Sequence, residues 1–196
     1  MSSATTEREE AARLPEGDVV RVLLEQHAQI RDLFDRVNSS QGEQKKQKFD
    51  ELRVLLAVHE TAEEMILRPT AKKTAGEAEA EARNHEEEEA TKVLAELEKM
   101  DVSSAEFDAK FAAFERSVID HAEHEEREEF PPVRQGCDED QLKRMGSRLQ
   151  TAEKMAPTHP HPTAAGSPAA QWMTGPFASM VDRVKDAITT GSAGGR

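Results

Sequence analysis

Two stretches of this chain carry the same pattern of residues, and each places charge where a helix would normally bury only carbon. His59, Glu63, Glu64 and Pro69 are matched by His121, Glu125, Glu126 and Pro131, with identical offsets of 4, 5 and 10 and an interval of 62 residues. A His and a Glu four apart project from one face of a helix. That face is apolar in both stretches. Phe107, Phe111, Phe114 and Val118 lead into His121 and Glu125 without a change of phase, and Leu52 and Leu56 lead into His59 and Glu63, with Ile66 beyond. A carboxylate buried without a partner costs several kcal/mol. A bound metal ion removes that cost, which makes the two pairs candidate ligands. A single His–Glu pair is ordinarily a solvated surface pair; the repetition in phase with the core separates these two from that case.

The remaining pattern is helical throughout. Aromatic residues make up 4% of the chain, Tyr is absent, and Ala, Glu, Lys, Leu and Arg dominate, so strands have little to build on. A first helix capped by Asp18 is predicted to run to about Asn38, with Leu23, His27, Ile30 and Phe34 on one face. A second covers residues 43–68 and is expected to stop at Pro69, because proline cannot continue it. The third covers residues 74–100, followed by a break at Asp101, Ser103 and Ser104, and the fourth runs to Phe130 ahead of Pro131 and Pro132. Four long helices with short connections make an all-α, up-down-up-down four-helix bundle. Residues 1–17 read as a flexible lead-in, and residues 138–155 as an accessory helix with Leu142, Met145 and Leu149 as its stripe, so the domain spans 18–155. Residues 156–176 read as a Pro-, Ala- and Gly-rich linker. Residues 177–196 read as a short amphipathic helix, with Phe177, Met180, Val181, Val184 and Ile188 on one side, and a tail.

His27 takes a core position in the first helix by the same phase test. The third helix offers His85, with Glu89 as a further ligand and Glu86 as its substitute. His124 reads as a second-layer or surface residue, His159 and His161 as solvated, Trp172 as packing and Cys137 as incidental. A net charge of −13 leaves no basic footprint for nucleic acid. A lone Cys excludes an internal disulfide, the first 16 residues lack an apolar run, and no stretch approaches the length of a membrane span, so the expected setting is the cytoplasm with no membrane contact. No Ser-His-Asp order, phosphate loop or Cys-rich metal spacing is present. With no Tyr, a stored tyrosyl radical is excluded.

The order His27, His59-x3-Glu63, His85, His121-x3-Glu125 resembles the hemerythrin-like family known by its HHE cation-binding motif. The phrases from His59 to Glu64 and from His121 to Glu126, with their following prolines, are similar to it as well, over about residues 18–132. The resemblance implies two iron ions bridged by oxide or hydroxide, with His27, His59, Glu63, His85, Glu89, His121 and Glu125 as the ligand set. It also implies a small oxidant or diatomic gas (O2, peroxide or NO) as the partner. The position four after His85 is Glu89, where oxygen carriers of the family have a second His. A carboxylate there favours the ferric state, which points away from oxygen carriage and toward a catalase-like reaction. A sensor or interaction module acting through residues 177–188, or a homo-oligomer joined there, and iron storage or delivery are the other expectations.

Overall fold

The computed structural model describes residues 3–156 together with Thr158 and His159. The expected helix at 177–188, with His161 and Trp172, lies outside the described residues.

Four long helices form the bundle: α2 (Val19–Ser39), α3 (Gly42–Ile66), α5 (Glu77–Leu97) and α6 (Ala105–His124). The chain is all-α and runs up, down, up and down through them, with α2 against α3, α3 against α5, α5 against α6 and α6 back against α2. Asp18 starts α2 as expected, its carboxylate accepting the Val20 N–H at 2.9 Å, and Ser104 does the same for Phe107 at the start of α6.

The chain stays helical past Pro69, Pro131 and Pro132. After Ile66 the chain stays helical through Leu67 and continues as α4 (Arg68–Thr74), with Pro69 in its first turn. There the missing N–H costs nothing. After His124 the helix widens into a π turn, Glu125–Glu129, in which the Phe130 N–H donates to the Glu125 carbonyl, and then becomes α7 (Phe130–Gly136). Pro131 and Pro132 would each clash with the carbonyl four residues earlier, and the wider turn makes room for them. The two proline-marked extensions, α4 and α7, pack together at one end of the bundle.

Two further helices lie against the four. α8 (Glu139–Met155) is the expected accessory helix, opened by a capping box between Asp138 and Gln141. It crosses the start of α2 so closely that a Cβ on Gly146 would stand 2.2 Å from the Gly17 carbonyl oxygen. The expected lead-in is ordered as well: Ala4–Ala11 forms α1, which lies on α2 with Ala11 and Glu7 buried. Glu7 Oε1 accepts from Arg31 Nε at 2.5 Å, and that ion pair is what permits an acidic residue on the inner face of so short a helix.

The core is divided into two apolar clusters. One is centred on Phe34, Phe49, Phe107, Phe111 and Phe114. The other is built from Val20, Leu23, Leu67, Phe130, Val133 and Leu149. Between them lies a layer of buried polar side chains: His27 from α2, His59 and Glu63 from α3, Arg68 from α4, Glu87 from α5, and Glu125 and Glu129 from the π turn. His121, from the last turn of α6, completes this layer.

Candidate metal centre

Five of the seven expected ligands meet in this layer. His27, His59, Glu63 and Glu125 bring one ligand atom each to within 4.8 Å of the others, and Glu87, His121 and Glu125 form a second such group. Glu125 belongs to both. Its Oε2 lies 3.5 Å from His27 Nε2, and its Oε1 lies 3.2 Å from His121 Nε2. His59 Nε2 faces Glu63 Oε2 at 3.3 Å.

The other two expected ligands are elsewhere. His85 and Glu89 are exposed, and Glu89 is paired with Lys92 at 2.7 Å. The buried face of α5 runs through Ala80, Arg83, Glu87, Ala90, Thr91, Leu94 and Leu97, so Glu87 is the carboxylate that α5 sends inward. Counting back from Leu97 in steps of three and four would have reached it. Glu86, the expected substitute, accepts from Nδ1 of His121 at 2.9 Å and lies 3.1 Å from Nδ1 of His124. It therefore orients one ligand and does not join the set.

All three imidazoles are held the same way round. His27 Nδ1 meets Glu126 Oε1 at 2.9 Å, His59 Nδ1 meets Gln26 Oε1 at 2.8 Å, and His121 Nδ1 meets Glu86. Each Nδ1 faces an outward oxygen, which turns Nε2 into the layer, as a lone-pair donor on neutral His59 and as one on His27 and His121 once a metal ion displaces the proton there. The ring of His27 is further fixed by stacking on Phe130, with centroids 5.6 Å apart.

Burial dominates the electrostatics. It disfavours the charged form of His59, whose pKa falls to about 3, so that ring is neutral. Burial also opposes a charge on His27, but Glu125 and Glu126 outweigh it and hold the ring at about 9. Burial pushes the carboxyl of Glu87 up to about 8 against the pull of Arg68 and His121. It raises Glu63 well above the usual carboxylate range, whereas the charge of His121 holds Glu125 well below it despite burial.

The donor set fits a cation. His27 Nε2, Glu63 Oε1 and Glu125 Oε2 are buried with no hydrogen-bond partner, which in a folded protein calls for an explanation. Imidazole and carboxylate together suit iron, manganese or zinc. Sequence reasoning missed Arg68 altogether. It is 3% exposed, and its guanidinium donates to Glu125 Oε1 at 3.1 Å and, more closely still, to Glu87 and Glu129. A cavity of about 20 Å³ adjoins the centre, bordered by His27, His59, His121, Glu60, Leu56 and Val118. It has room for one water-sized molecule.

The sequence pattern of the hemerythrin HHE cation-binding domain matches residues 18–133, more than half of the chain. The chain belongs to this family. The HHE domain therefore comprises the bundle from the α2 cap to α7, and α1 and α8 lie outside the match. Among similar proteins is an uncharacterized hemerythrin-like protein of Schizosaccharomyces pombe, 28% identical over 134 residues, covering 67% of this chain and 66% of that protein. Another is a protein of a Nostoc species named as a DNA nickase, 25% identical over 154 residues, or 78% of this chain and 43% of that one. The chain thus spans just under two thirds of the first relative's length and less than half of the second's. A solved structure of a hemerythrin HHE cation-binding domain-containing protein from Mycobacterium kansasii has the same fold. Its TM-score is 0.62 at 20% identity, covering 72% of this HHE chain and 86% of that one.

Among the described residues no helix is long and apolar enough to cross a membrane. His124 borders the centre through Glu86, and Cys137 is a half-buried free thiol. His159, expected in solvent, is instead half-buried and paired with Glu98.

Proposed function

We propose that the polar layer holds two iron ions and that the protein reacts with a small oxidant, with peroxide disproportionation as its activity. The observation that carries this reading is the division of Glu125, one oxygen to each of the two ligand groups. A carboxylate shared in this way is what bridges a metal pair, as in other helical-bundle carboxylate sites. One ion would be held by His27, His59, Glu63 and Glu125, the other by His121, Glu87 and Glu125. An iron pair supplies the electron acceptor and donor that two successive peroxide molecules require, one reduced to water and the other oxidised to O2.

The chain supplies the surroundings. The cavity beside the three imidazoles has room for a molecule of about the size of water. Glu60, a carboxyl on its wall, accepts from Thr91 Oγ1 at 3.0 Å. Burial lifts its pKa to about 7, where it can give or take a proton near neutral pH.

The test is to load the full chain with iron, add hydrogen peroxide, and follow peroxide loss together with O2 release. Release of about one O2 per two peroxides, lost in Glu125→Ala, is expected for disproportionation. Peroxide that persists in the presence of iron-loaded protein overturns this activity.

A further inference from the structure

The two halves of the centre differ in what faces them. On one side, His27 Nε2, Glu63 Oε1 and Glu125 Oε2 are buried without a hydrogen-bond partner. On the other, a cation of the chain itself is already seated. Arg68 Nη2 donates to Glu87 Oε1 and to Glu125 Oε1. Those same two oxygens complete the second ligand group with His121 Nε2, at 3.8 and 3.2 Å from it. The other guanidinium nitrogen, Nη1, is tied to Glu129 on the last residue of the π turn.

This arrangement sits where the chain passes from α3 to α4 and from α6 through the π turn to α7. Arg68 opens α4 as a buried residue just past Leu67, and the π turn carries Glu125 and Glu129, both buried, to the same guanidinium. Three carboxylates then surround one guanidinium, which keeps its charge at any ordinary pH. Without it, the buried acids Glu87 and Glu129 would be left with His121 as their facing cation.

We propose that Arg68 is a placeholder for the second metal ion, so that the centre fills in a fixed order. The first ion enters at His27, His59, Glu63 and Glu125, where it displaces a proton from His27 and no guanidinium is seated. The second reaches Glu87, His121 and Glu125 only as Nη2 leaves them, while Nη1 keeps its hold on Glu129 and the guanidinium stays beside the centre. The one-ion form, with Arg68 seated on Glu87 and Glu125, is then a defined step in loading and not an accident of it. This inference rests on the two-metal reading above.

The experiment is a Zn2+ titration of the full chain, stripped of metal beforehand, with native mass spectrometry counting one-ion and two-ion species. Zn2+ is used because it takes the same donors without redox chemistry. In the wild type the second ion is expected to bind at least about tenfold more weakly than the first, since it must displace charge-assisted hydrogen bonds. Arg68→Met is expected to tighten the second ion by about tenfold or more and the first by much less. Arg68→Lys keeps the charge but cannot span three carboxylates, and is expected to tighten the second ion several-fold; it carries the test if the Met variant does not fold. Second-ion binding equal to wild type in both variants overturns the placeholder role, as does equal tightening of both ions, which would mark a general charge effect. Protein that takes no second ion with or without Arg68 contradicts the two-metal reading and the placeholder together.

Discussion

Gln26 Oε1 lies 2.8 Å from Nδ1 of His59, and the same Gln26 amide donates through Nε2 to Glu153 of α8 at 2.5 Å. With its NH2 committed to a carboxylate, the amide can offer His59 only an oxygen. His59 must therefore carry its proton on Nδ1, and Nε2 is left free beside Glu63. An accessory helix outside the HHE match thus determines the tautomer of a candidate ligand inside it.

Gln26→Leu removes that orientation without touching a ligand. Metal affinity is expected to fall about 10- to 100-fold, the usual cost of losing an outer hydrogen bond to a metal-bound imidazole. Competition against a chromophoric chelator measures it, and an unchanged affinity would mean that packing alone holds the ring.

The ligand set on α5 is open to a direct comparison. His85→Ala and Glu89→Ala alter exposed side chains and are expected to leave metal content unchanged. Glu87→Ala removes a fully enclosed carboxylate of the second ligand group and is expected to cost about one ion per chain. Elemental analysis of the three purified variants decides, and loss of metal in the first two would place α5 in another rotation.

Metal binding should strengthen as pH rises from 6 to 8. His27, held up at about 9, and Glu87, at about 8, both carry protons at pH 7 that an incoming ion must expel. Lowering pH adds competing protons and raising it removes them, so affinity changes by up to about tenfold per pH unit for each proton displaced. Calorimetry in buffers of different ionisation enthalpy counts the released protons, and none released would contradict these protonation states.

Phe111→Ala cuts into the apolar cluster away from the centre, where its ring contacts Phe34, Phe49 and Phe107. A loss of about 3–5 kcal/mol in unfolding free energy is expected from the cavity left behind. Urea denaturation with metal analysis of the folded fraction tests it. Metal content should persist, because the cluster supports the layer without supplying a ligand.

The sequence was legible where helical phase could be counted over several turns with strong contrast. On α2, α3 and α6 the large residues Phe34, Leu56 and Phe114 anchor the stripe, and His27, His59 and His121 fall on it within a turn or two. On α5 the inward face includes Ala80, Ala90 and Thr91, small residues that look the same as their outward neighbours, so a stripe through Ala82, Val93, Leu97 and Met100 centres nearer Glu86 and Glu89 than His85 and passes by Glu87. Arg68 and Glu129 were illegible for another reason. A charged residue next to or near a proline reads as a solvated helix end, whereas α4 and the π turn bury both side chains. The lead-in hid a helix because eight residues with little apolar content signal nothing until Glu7 finds Arg31 on α2.

Iron analysis of the full chain and of two variants bears most directly on the shared role of Glu125. About two irons per wild-type chain, about one in His121→Ala and fewer in Glu125→Ala are predicted, with any bridged-iron absorbance lost in both variants. Two irons retained by both variants would contradict a centre built around Glu125.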